Sequence, residues 1–276
     1  MTELRSTRLV SATSLRLLMR GCVMGLAVAV GGCTMSGDLT TSGADAQTAE
    51  MDTAERTLWA SGVEAEAAHN YENAVASFGS LSERLPDDVR VLAALLRNLR
   101  YGGRSVDAVG FVEQRASNHL SDLNVKFEYA KALLASGRKS DAARYLHEVA
   151  AMAPDDWPES WQVYSAIGIA NDALGRFDQS VSAYAQALAL SPDNVVVMNN
   201  LAMSQAMAGQ LQAAIATLEK AASINRSNTH VRQNLALLYA ANGEESKARA
   251  LAAMDLDSGD LETNLSFYRR FGGSMP

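Results

Sequence analysis

The sequence has few residues of the kinds that cross-link a chain, catalyse reactions or cross a membrane. Its 276 residues include two cysteines and four histidines, and aromatic residues account for 6%. No segment offers the roughly 20 consecutive apolar residues that a permanent membrane-spanning helix needs. The formal net charge of −7 makes nucleic acid an unfavourable partner, because its phosphates would repel the chain. These features argue against helical integral membrane proteins and against nucleic-acid binders.

The histidines and acidic residues do not form a recognisable catalytic or metal-binding motif. His147-Glu148 is not followed by the second histidine of a zinc-protease helix. The stretch 255–260 weakly resembles a calcium loop, but Ser266 stands where the bidentate glutamate belongs, so a helix-capping turn is the better interpretation. A phosphate-binding glycine loop and a Gly-x-Ser-x-Gly elbow are also absent. We therefore predict a protein that is not an enzyme, with no catalytic residue, metal ion, cofactor or small-molecule substrate.

The first 32 residues have the pattern of an export signal. Four arginines precede an apolar run at positions 21–30, which is too short for a permanent membrane helix and typical of a secretory signal. The run ends in Val30-Gly31-Gly32-Cys33. This resembles the bacterial lipobox, in which small residues precede the cysteine that is lipidated and becomes the new N-terminus. The alternative is an ordinary cleaved signal in which Cys33 is incidental.

Lipidation of Cys33 would set the location of the protein. Cleavage removes Cys22 and leaves one cysteine, so no intrachain disulfide can form, and several acyl chains on Cys33 would make a stable membrane anchor. The net charge of the mature chain falls to about −10, because four arginines and one glutamate leave with the signal. By the sorting rule for enteric lipoproteins, Thr34 after the cysteine implies the outer membrane, with the body in the periplasm. Residues 33–50 are predicted to be a flexible lipidated tether.

A unit of 34 residues repeats from Glu55 nearly to the C-terminus. The residue at the tight turn inside each unit marks the period: His69, Gly103, Gly137, Gly175, Gly209 and Gly243. Successive markers lie 34, 34, 38, 34 and 34 residues apart, and the longer step contains four extra residues, Trp157 to Ser160. A fixed period of this length is typical of the tetratricopeptide unit, which is a pair of helices.

Each unit has the pattern of a helical hairpin. In residues 161–194, Tyr164, Ile167 and Gly168 share one face of a first helix, Gly175 permits the turn, and Pro192 ends a second helix. The units are 55–88, 89–122, 123–156, 161–194, 195–228 and 229–254, within an array at 51–254. Residues 255–276 are predicted to form a capping helix and tail, in which Leu261, Leu265 and Tyr268 cover the last hairpin. The predicted fold class is an all-α tetratricopeptide-repeat superhelix, an α-solenoid of about six helical hairpins plus a C-terminal capping helix.

The candidate site is a groove along the first helices. In tetratricopeptide proteins these helices line the inner face of the array, and the residues that do not pack backward are free to bind a partner. By that resemblance, the groove is lined by Asn124, Phe127, Lys131, Gln162, Ser165, Ile169, Asp172, Val196, Asn199, Met203, His230, Gln233 and Leu237. Amides can pair with a peptide backbone, while apolar side chains give adaptable contacts. The alternative is that several of these residues simply face solvent. No cluster of Lys and Arg accompanies the asparagines, so capture of a C-terminal carboxylate is not predicted.

The C-terminal part of the chain resembles a narrower family. The matching residues are Trp161 to Asp172, Met198 to Ser204, Val231 to Leu237, Asp255-Leu256 and Asn264. These residues resemble the TadD-type lipoproteins of tight-adherence (Flp) pilus assembly, although Asn171 departs from the small apolar residue expected there. The resemblance implies an outer-membrane lipoprotein whose protein partners are the pilus secretin or other pilus-assembly components.

Two other classes remain open from the sequence. One is a pilotin for the secretin of a type IV pilus or type II secretion system, which is also a lipidated repeat protein. The other is an envelope scaffold that serves cell-wall enzymes or the assembly of outer-membrane proteins.

Overall fold

The fold is described by a computed structural model that covers residues 51–256 and 258–272. The predicted signal, Cys33 and the tether up to residue 50 lie outside these residues. Within the described ranges there are thirteen α-helices, one π-helical segment and one 3-10 segment, and no strand. The predicted all-α fold is confirmed.

The helices alternate with short turns along the whole described chain. In chain order they are α1 (Thr53–Ala67), α2 (Tyr71–Arg84), α3 (Val89–Tyr101), α4 (Ser105–Phe111), α5 (Leu123–Ala135), α6 (Lys139–Met152), α7 (Ser160–Ala173), α8 (Phe177–Leu190), α9 (Val195–Met207), α10 (Leu211–Ile224), α11 (Thr229–Ala241), α12 (Glu245–Ala252) and α13 (Ser258–Gly272). The first twelve form six hairpins, each of which also packs against the next. From α3 to α11, the first helices of neighbouring hairpins contact one another, so they share one continuous face.

The residues predicted to mark the inner turns do so in the structure. All six have a positive φ angle, from 57° at His69 to 87° at Gly137. At His69, where glycine is missing, the ring nitrogen Nδ1 lies 2.9 Å from the hydroxyl of Tyr71, which agrees with the expected polar contact in the turn. The other five markers are glycines, which adopt this left-handed conformation without steric strain.

Asp or Asn residues start most of the first helices. The side chains of Asp52, Asp122, Asn194 and Asn228 each accept a hydrogen bond from the backbone N–H three residues later. Such caps satisfy N–H groups that have no partner inside the helix. The repeating turn of Pro, Asp or Asn between hairpins therefore ends one helix and begins the next.

In four of the six hairpins, a small buried residue of the first helix is paired with a large one of the second. The crossing pair is the eighth and twenty-fourth residue of the unit: Gly62 and Phe78, Leu96 and Val112, Ala130 and Leu146, Gly168 and Tyr184, Ala202 and Leu218, and Ala236 and Ala252. Both members are buried in every hairpin. A Cβ added to Gly62 would lie 2.7 Å from the ring of Phe78, and one added to Gly168 would lie 2.5 Å from the ring of Tyr184. A ring on the second helix therefore requires a glycine on the first, whereas leucine is matched with alanine.

The second hairpin departs from the regular pattern that the sequence predicts. Its second helix, α4, has only seven residues and continues as a π-helical segment at Val112–Ala116 and a 3-10 turn at Ser117–His119. This is also the hairpin in which the first helix carries the larger crossing residue, Leu96, opposite Val112.

The helix α13 packs on α11 and α12. Leu265 and Tyr268 are buried and Leu261 is half-buried. Two ion pairs surround this contact: Arg232 of α11 binds Asp255 just before α13, with a distance of 2.9 Å from Nε to Oδ2, and Arg249 of α12 binds Glu262 of α13. The last hairpin thus has its apolar side covered by α13, as the stacking of a helical array requires.

The glycine–ring pair leads to a stability prediction at Gly62. We expect Gly62→Ala to destabilise the protein by about 1–3 kcal/mol, because the new methyl group overlaps the ring of Phe78. Gly79→Ala is the matched control: it lies inside α2 with nothing within 4 Å of the added Cβ, so it should raise stability by about 0.5–1 kcal/mol through helix propensity. Thermal unfolding followed by circular dichroism measures both changes.

A second substitution separates this clash from other effects of the mutation. The double variant combines Gly62→Ala with Phe78→Leu. Its crossing pair is then alanine and leucine, the same combination that the third and fifth hairpins have. The double variant should be more stable than the sum of the two single changes predicts. Simple additivity would show that the ring and the glycine are not coupled.

Candidate functional site

The candidate site is the face formed by the first helices α1, α3, α5, α7, α9 and α11, which we call the groove. One residue of every unit, the ninth, forms a row along it: Val63, Arg97, Lys131, Ile169, Met203 and Leu237. The twelfth residue of each unit lies one helical turn away on the same side, since positions three apart share a face. Several of these side chains connect neighbouring first helices.

The N-terminal part of the groove is charged. Arg97 on α3 donates from Nε to Glu66 Oε1 on α1 at 2.6 Å and from Nη2 to Oε2 at 3.0 Å. Asn98 Nδ2 also donates to Glu66 Oε2, at 3.0 Å. One carboxylate on the first hairpin is therefore held by two side chains of the second, in the two-point arrangement typical of arginine and carboxylate.

The charges continue onto the third hairpin. Glu128 on α5 accepts from Lys131 Nζ at 2.8 Å and from Arg100 Nη2 at 3.4 Å. The side chains of Arg100 and Glu128 are only 3% and 8% exposed. Lys131 Nζ also lies 4.1 Å from the centre of the Phe127 ring. We call Glu66, Arg97, Arg100, Glu128 and Lys131 the charged cluster.

The charged cluster contains three cations and two carboxylates, and the pKa shifts reflect that imbalance. Burial alone would raise the pKa of Glu128, but Lys131 and Arg100 outweigh it and lower that pKa. Burial lowers the pKa of Lys131, and Arg100 and Arg97 lower it further, although Glu128 opposes them. The ammonium of Lys131 thus lies near two guanidinium ions and contacts one carboxylate, that of Glu128.

Two atoms in this region are not satisfied. Among the described residues, Arg100 Nε and Asn98 Oδ1 are buried without a hydrogen-bond partner. Most buried polar atoms in folded proteins have a partner, and an unpaired one costs free energy. The charged cluster is therefore the part of the groove in which hydrogen bonding is incomplete.

A half-buried carboxylate, Asp172, lies further along the groove, between the fourth and fifth hairpins. Asp172 on α7 accepts from the hydroxyl of Tyr184 at 2.9 Å and from that of Ser204, 2.7 Å from Oδ1. Within the described chain no cation contacts it. Burial raises the pKa of Asp172, although Ser204, Ser180 and Tyr184 all act to lower it. The pKa of Tyr184 is raised by its own burial and by the charge of Asp172.

The C-terminal part of the groove combines amides with apolar side chains. Asn234 on α11 donates from Nδ2 to Asn199 Oδ1 on α9 at 2.8 Å. Ile169 and Met203, two neighbours in the row of ninth residues, are both half-buried. Their partial exposure leaves apolar surface that a partner segment can cover.

The residues predicted to line the groove differ in how much surface they offer. Asn124, Val196 and His230 are exposed; Lys131, Gln162, Ile169, Asp172, Met203 and Gln233 are half-buried; Phe127, Ser165, Asn199 and Leu237 are buried. The structure brings Lys131 onto Phe127, Asp172 onto Ser204, and Asn199 onto Asn234. Their role in binding a partner stays a prediction.

Sequence reasoning missed the charged cluster because it began the groove at Asn124. Arg97 and Arg100 occupy the ninth and twelfth positions of the second unit, and Glu66 the twelfth position of the first. Extending the same repeat positions to these two units would have found them. Arg100 is nevertheless buried against Glu128, and a repeat position alone does not reveal such a contact.

The described residues do not present a metal site or a membrane helix. In residues 51–256 and 258–272, no three His, Cys, Asp or Glu side chains are grouped so that they could hold a metal ion. No described helix combines the length and the apolar composition that spanning a membrane would require.

Comparison with known proteins identifies the repeat. Residues 127–195 and 165–229 match a family model described as tetratricopeptide repeat, and residues 205–260 match a second model of the same description. Among proteins with curated descriptions, none matches the sequence. The predicted tetratricopeptide-repeat superhelix is confirmed. Residues 127–260 thus consist of tetratricopeptide repeats, a helical unit that is typical of scaffolds for protein–protein interaction.

Solved structures share this fold. PilW, described as a widely conserved type IV pilus biogenesis factor, is 17% identical with a TM-score of 0.69, and the match covers 78% of this chain and 98% of PilW. MamA 41-end from Desulfovibrio magneticus RS-1 is 14% identical with a TM-score of 0.52, covering 67% and 97%. A Podosopora anserina kinesin light chain with nearly identical TPR-like repeats is 21% identical with a TM-score of 0.54, covering 67% and 98%. At these identities the likeness shows the fold alone.

The half-buried carboxylate of Asp172 predicts a pH effect on stability. Because its pKa is raised in the folded state, the folded protein takes up this proton more readily than the unfolded chain does. Protonation therefore stabilises the wild type as the pH falls through the raised pKa towards the ordinary value of 3.8. As the pH falls from 7 to about 4, the free energy of unfolding of the wild type should therefore increase relative to that of Asp172→Asn.

Asp255→Asn is the control with the opposite sign. Arg232 holds the pKa of Asp255 below its usual range, so the wild type should lose stability relative to this variant as the pH falls. Chemical unfolding of the three proteins at a series of pH values measures both differences. Parallel curves for the two variants would contradict the assignment of Asp172.

Proposed function

We propose that this protein is a non-enzymatic outer-membrane lipoprotein that binds a segment of a partner protein in the groove. In this function it supports the assembly or localisation of the secretin and secretion apparatus of a Flp/Tad pilus. The observation that carries the proposal is the groove itself, whose C-terminal part presents the half-buried apolar side chains of Ile169 and Met203 beside the half-buried amides of Gln162 and Gln233. An extended or helical segment can use both kinds of contact.

Two further observations support the details. The sequence before Cys33 resembles a lipobox, which would attach the body to a membrane through covalent lipid and a tether of residues 33–50. The residues of the fourth to sixth hairpins resemble TadD-type lipoproteins. Together they favour a lipid-anchored scaffold with its body in the periplasm, and with a secretin or another pilus-assembly component as its partner.

A second candidate function is favoured by one of the structural comparisons. PilW is described as a type IV pilus biogenesis factor, and its fold covers more of this chain than the other structures compared here. A pilotin for the secretin of a type IV pilus or type II secretion system would need the same lipid anchor and groove. The two candidates differ in the secretin that they serve.

Affinity capture from detergent-solubilised envelopes distinguishes these functions. Recovery of the Flp/Tad secretin or its assembly ATPase is the expected result. Recovery of a type IV pilus or type II secretin would favour the pilotin function. Recovery of only barrel-assembly or peptidoglycan proteins would instead support an envelope scaffold and contradict both pilus proposals.

The lipid anchor is tested by Cys33→Ser. We expect the variant to fold normally, to leave the membrane fraction and to fail in secretin assembly, because the acyl chains are its proposed attachment. Cys22→Ser is the matched control, since Cys22 lies in the predicted signal and is removed with it. Sedimentation of envelopes with an immunoblot is the measurement. Membrane retention of Cys33→Ser would refute the lipid assignment.

A further inference from the structure

The charged cluster reverses the overall charge of the protein. The chain has a formal net charge of −7, yet Arg97, Arg100 and Lys131 outnumber Glu66 and Glu128 in this part of the groove. An excess positive charge that is partly removed from water attracts an anion more strongly than an exposed one does. The groove therefore has a preference for negative charge on its second and third hairpins.

The cluster also lacks acceptors, not only negative charge. Arg100 reaches Glu128 at the long distance of 3.4 Å, and within the described chain its Nε has no acceptor. Lys131 shares the same carboxylate at 2.8 Å. An additional carboxylate that bound Lys131 would leave Glu128 free to move closer to Arg100. One anion could thus complete the hydrogen bonding of both cations.

Of the three cations in the cluster, Arg97 and Lys131 are accessible to a ligand. Their side chains are 34% and 14% exposed, and that of the carboxylate Glu66 is 22% exposed. Arg97 and Lys131 are both ninth residues of neighbouring units, so they lie side by side in the same row of the groove. Arg100 lies behind them and is buried. A ligand would meet Arg97 and Lys131 first.

We propose that Arg97 and Lys131 bind the carboxylate of an Asp or Glu side chain in an extended segment of the partner protein. This inference rests on the proposed function and specifies the chemistry of the segment. The excess of one positive charge matches a single carboxylate. A doubly charged phosphate would be repelled by Glu66 and Glu128, and a nucleic acid would bring many more negative charges.

The row of ninth residues also gives the spacing of the ligand. Ile169 and Met203 follow Lys131 on the next two hairpins. Packed helices lie about 8–10 Å apart, and an extended peptide in the polyproline II conformation advances about 3.1 Å per residue with three residues per turn. Every third side chain then points to the same side, so the segment should carry apolar side chains about three and about six residues from its acidic residue. This pattern of one acidic and two apolar residues is the predicted recognition sequence.

Binding of a designed peptide tests the chemistry directly. The probe is the peptide Ser-Glu-Ser-Ser-Leu-Ser-Ser-Leu-Ser, acetylated and amidated so that both ends are uncharged, and labelled for fluorescence anisotropy. It is titrated with the purified full-length lipoprotein in detergent. Replacement of Glu by Gln in the peptide should weaken binding by about tenfold or more, which is the range for a hydrogen-bonded ion. Equal binding of the two peptides would overturn the proposal.

Variants of the protein locate the site. Arg97→Gln should reduce binding of the Glu peptide by about tenfold and should leave binding of the Gln peptide unchanged. Arg97→Lys keeps the charge and should retain part of the preference for Glu. Arg104→Gln is the control, because Arg104 is an exposed arginine of the same hairpin that pairs with Asp107. Equal losses for Arg97→Gln and Arg104→Gln would show general charge attraction and no site in the groove.

A third peptide tests the other source of a carboxylate. It contains Gln in place of Glu and a free C-terminus. If it bound in a manner that depended on Arg97, the ligand would be a chain terminus and the proposal of an acidic side chain would be wrong. Circular dichroism of each variant at the working temperature confirms that the binding data come from folded protein.

The envelope capture experiment separates failure of this inference from failure of the proposed function. If Arg97→Gln captured the same pilus components as the wild type, the scaffold function would stand and the acidic contact would be refuted. If neither protein captured a secretin or pilus-assembly component, the proposed function would fail, whatever the peptide results. Loss of capture in Arg97→Gln but not in Arg104→Gln is the expected outcome.

Discussion

In the first and fourth hairpins, the contact between the eighth and the twenty-fourth residue of the unit limits how closely the two helices approach. Gly62 and Gly168 leave room for aromatic rings, and alanines leave room for leucines. A packed interior tolerates little change in volume at such a contact. Because every hairpin packs on the next, an altered crossing in one unit would shift the first helices that form the groove. The position of the binding surface therefore depends on these buried pairs.

Because the first helices stack, some of their side chains form hydrogen bonds or ion pairs with the neighbouring hairpin. Glu66 is bound by the second hairpin, Glu128 by the second and third together, and Asp172 by a serine of the fifth. The bonds of Glu66 with Arg97, of Glu128 with Arg100 and of Asp172 with Ser204 each join residues about one repeat apart in the sequence. They stabilise the interfaces between units. The stability of a helical array is approximately the sum of the stabilities of its units and of these interfaces. The polar face of the groove is thus part of the structure as well as a surface for a partner.

Much of the fold could be predicted from the sequence because its signals are local. The glycine of the inner turn and the Asp or Asn after the hairpin each specify a backbone conformation at a fixed place in the unit. The irregular second helix of the second hairpin was not predicted, because its residues keep the regular spacing of the repeat. Periodicity shows that Val112 is apolar, but it does not show that the helix becomes π-helical there.

The groove was less predictable for a related reason. A repeat position indicates which face a residue occupies, but not whether its neighbour covers it. Phe127 and Asn199 occupy groove positions, yet Lys131 covers the ring of Phe127 and Asn234 binds the amide of Asn199. Arg97 belongs to the same rows, and the structure leaves a third of its side chain exposed. Whether a groove residue is buried depends on its partner in the adjacent hairpin. The sequence of a single unit does not contain that information.

Two ionic groups of the groove can be distinguished by their hydrogen bonds. Asp172 is surrounded by hydroxyl groups that donate to it, so its polar interactions are supplied by the protein itself and a structural function accounts for them. Among the described residues, Arg100 has a nitrogen without an acceptor, and it shares the carboxylate of Glu128 with Lys131. A conflict of this kind within an otherwise consistent fold is expected where a ligand completes the site. The incomplete bonding, more than the charge itself, is what makes the second and third hairpins the end of the groove where an acidic partner residue would bind.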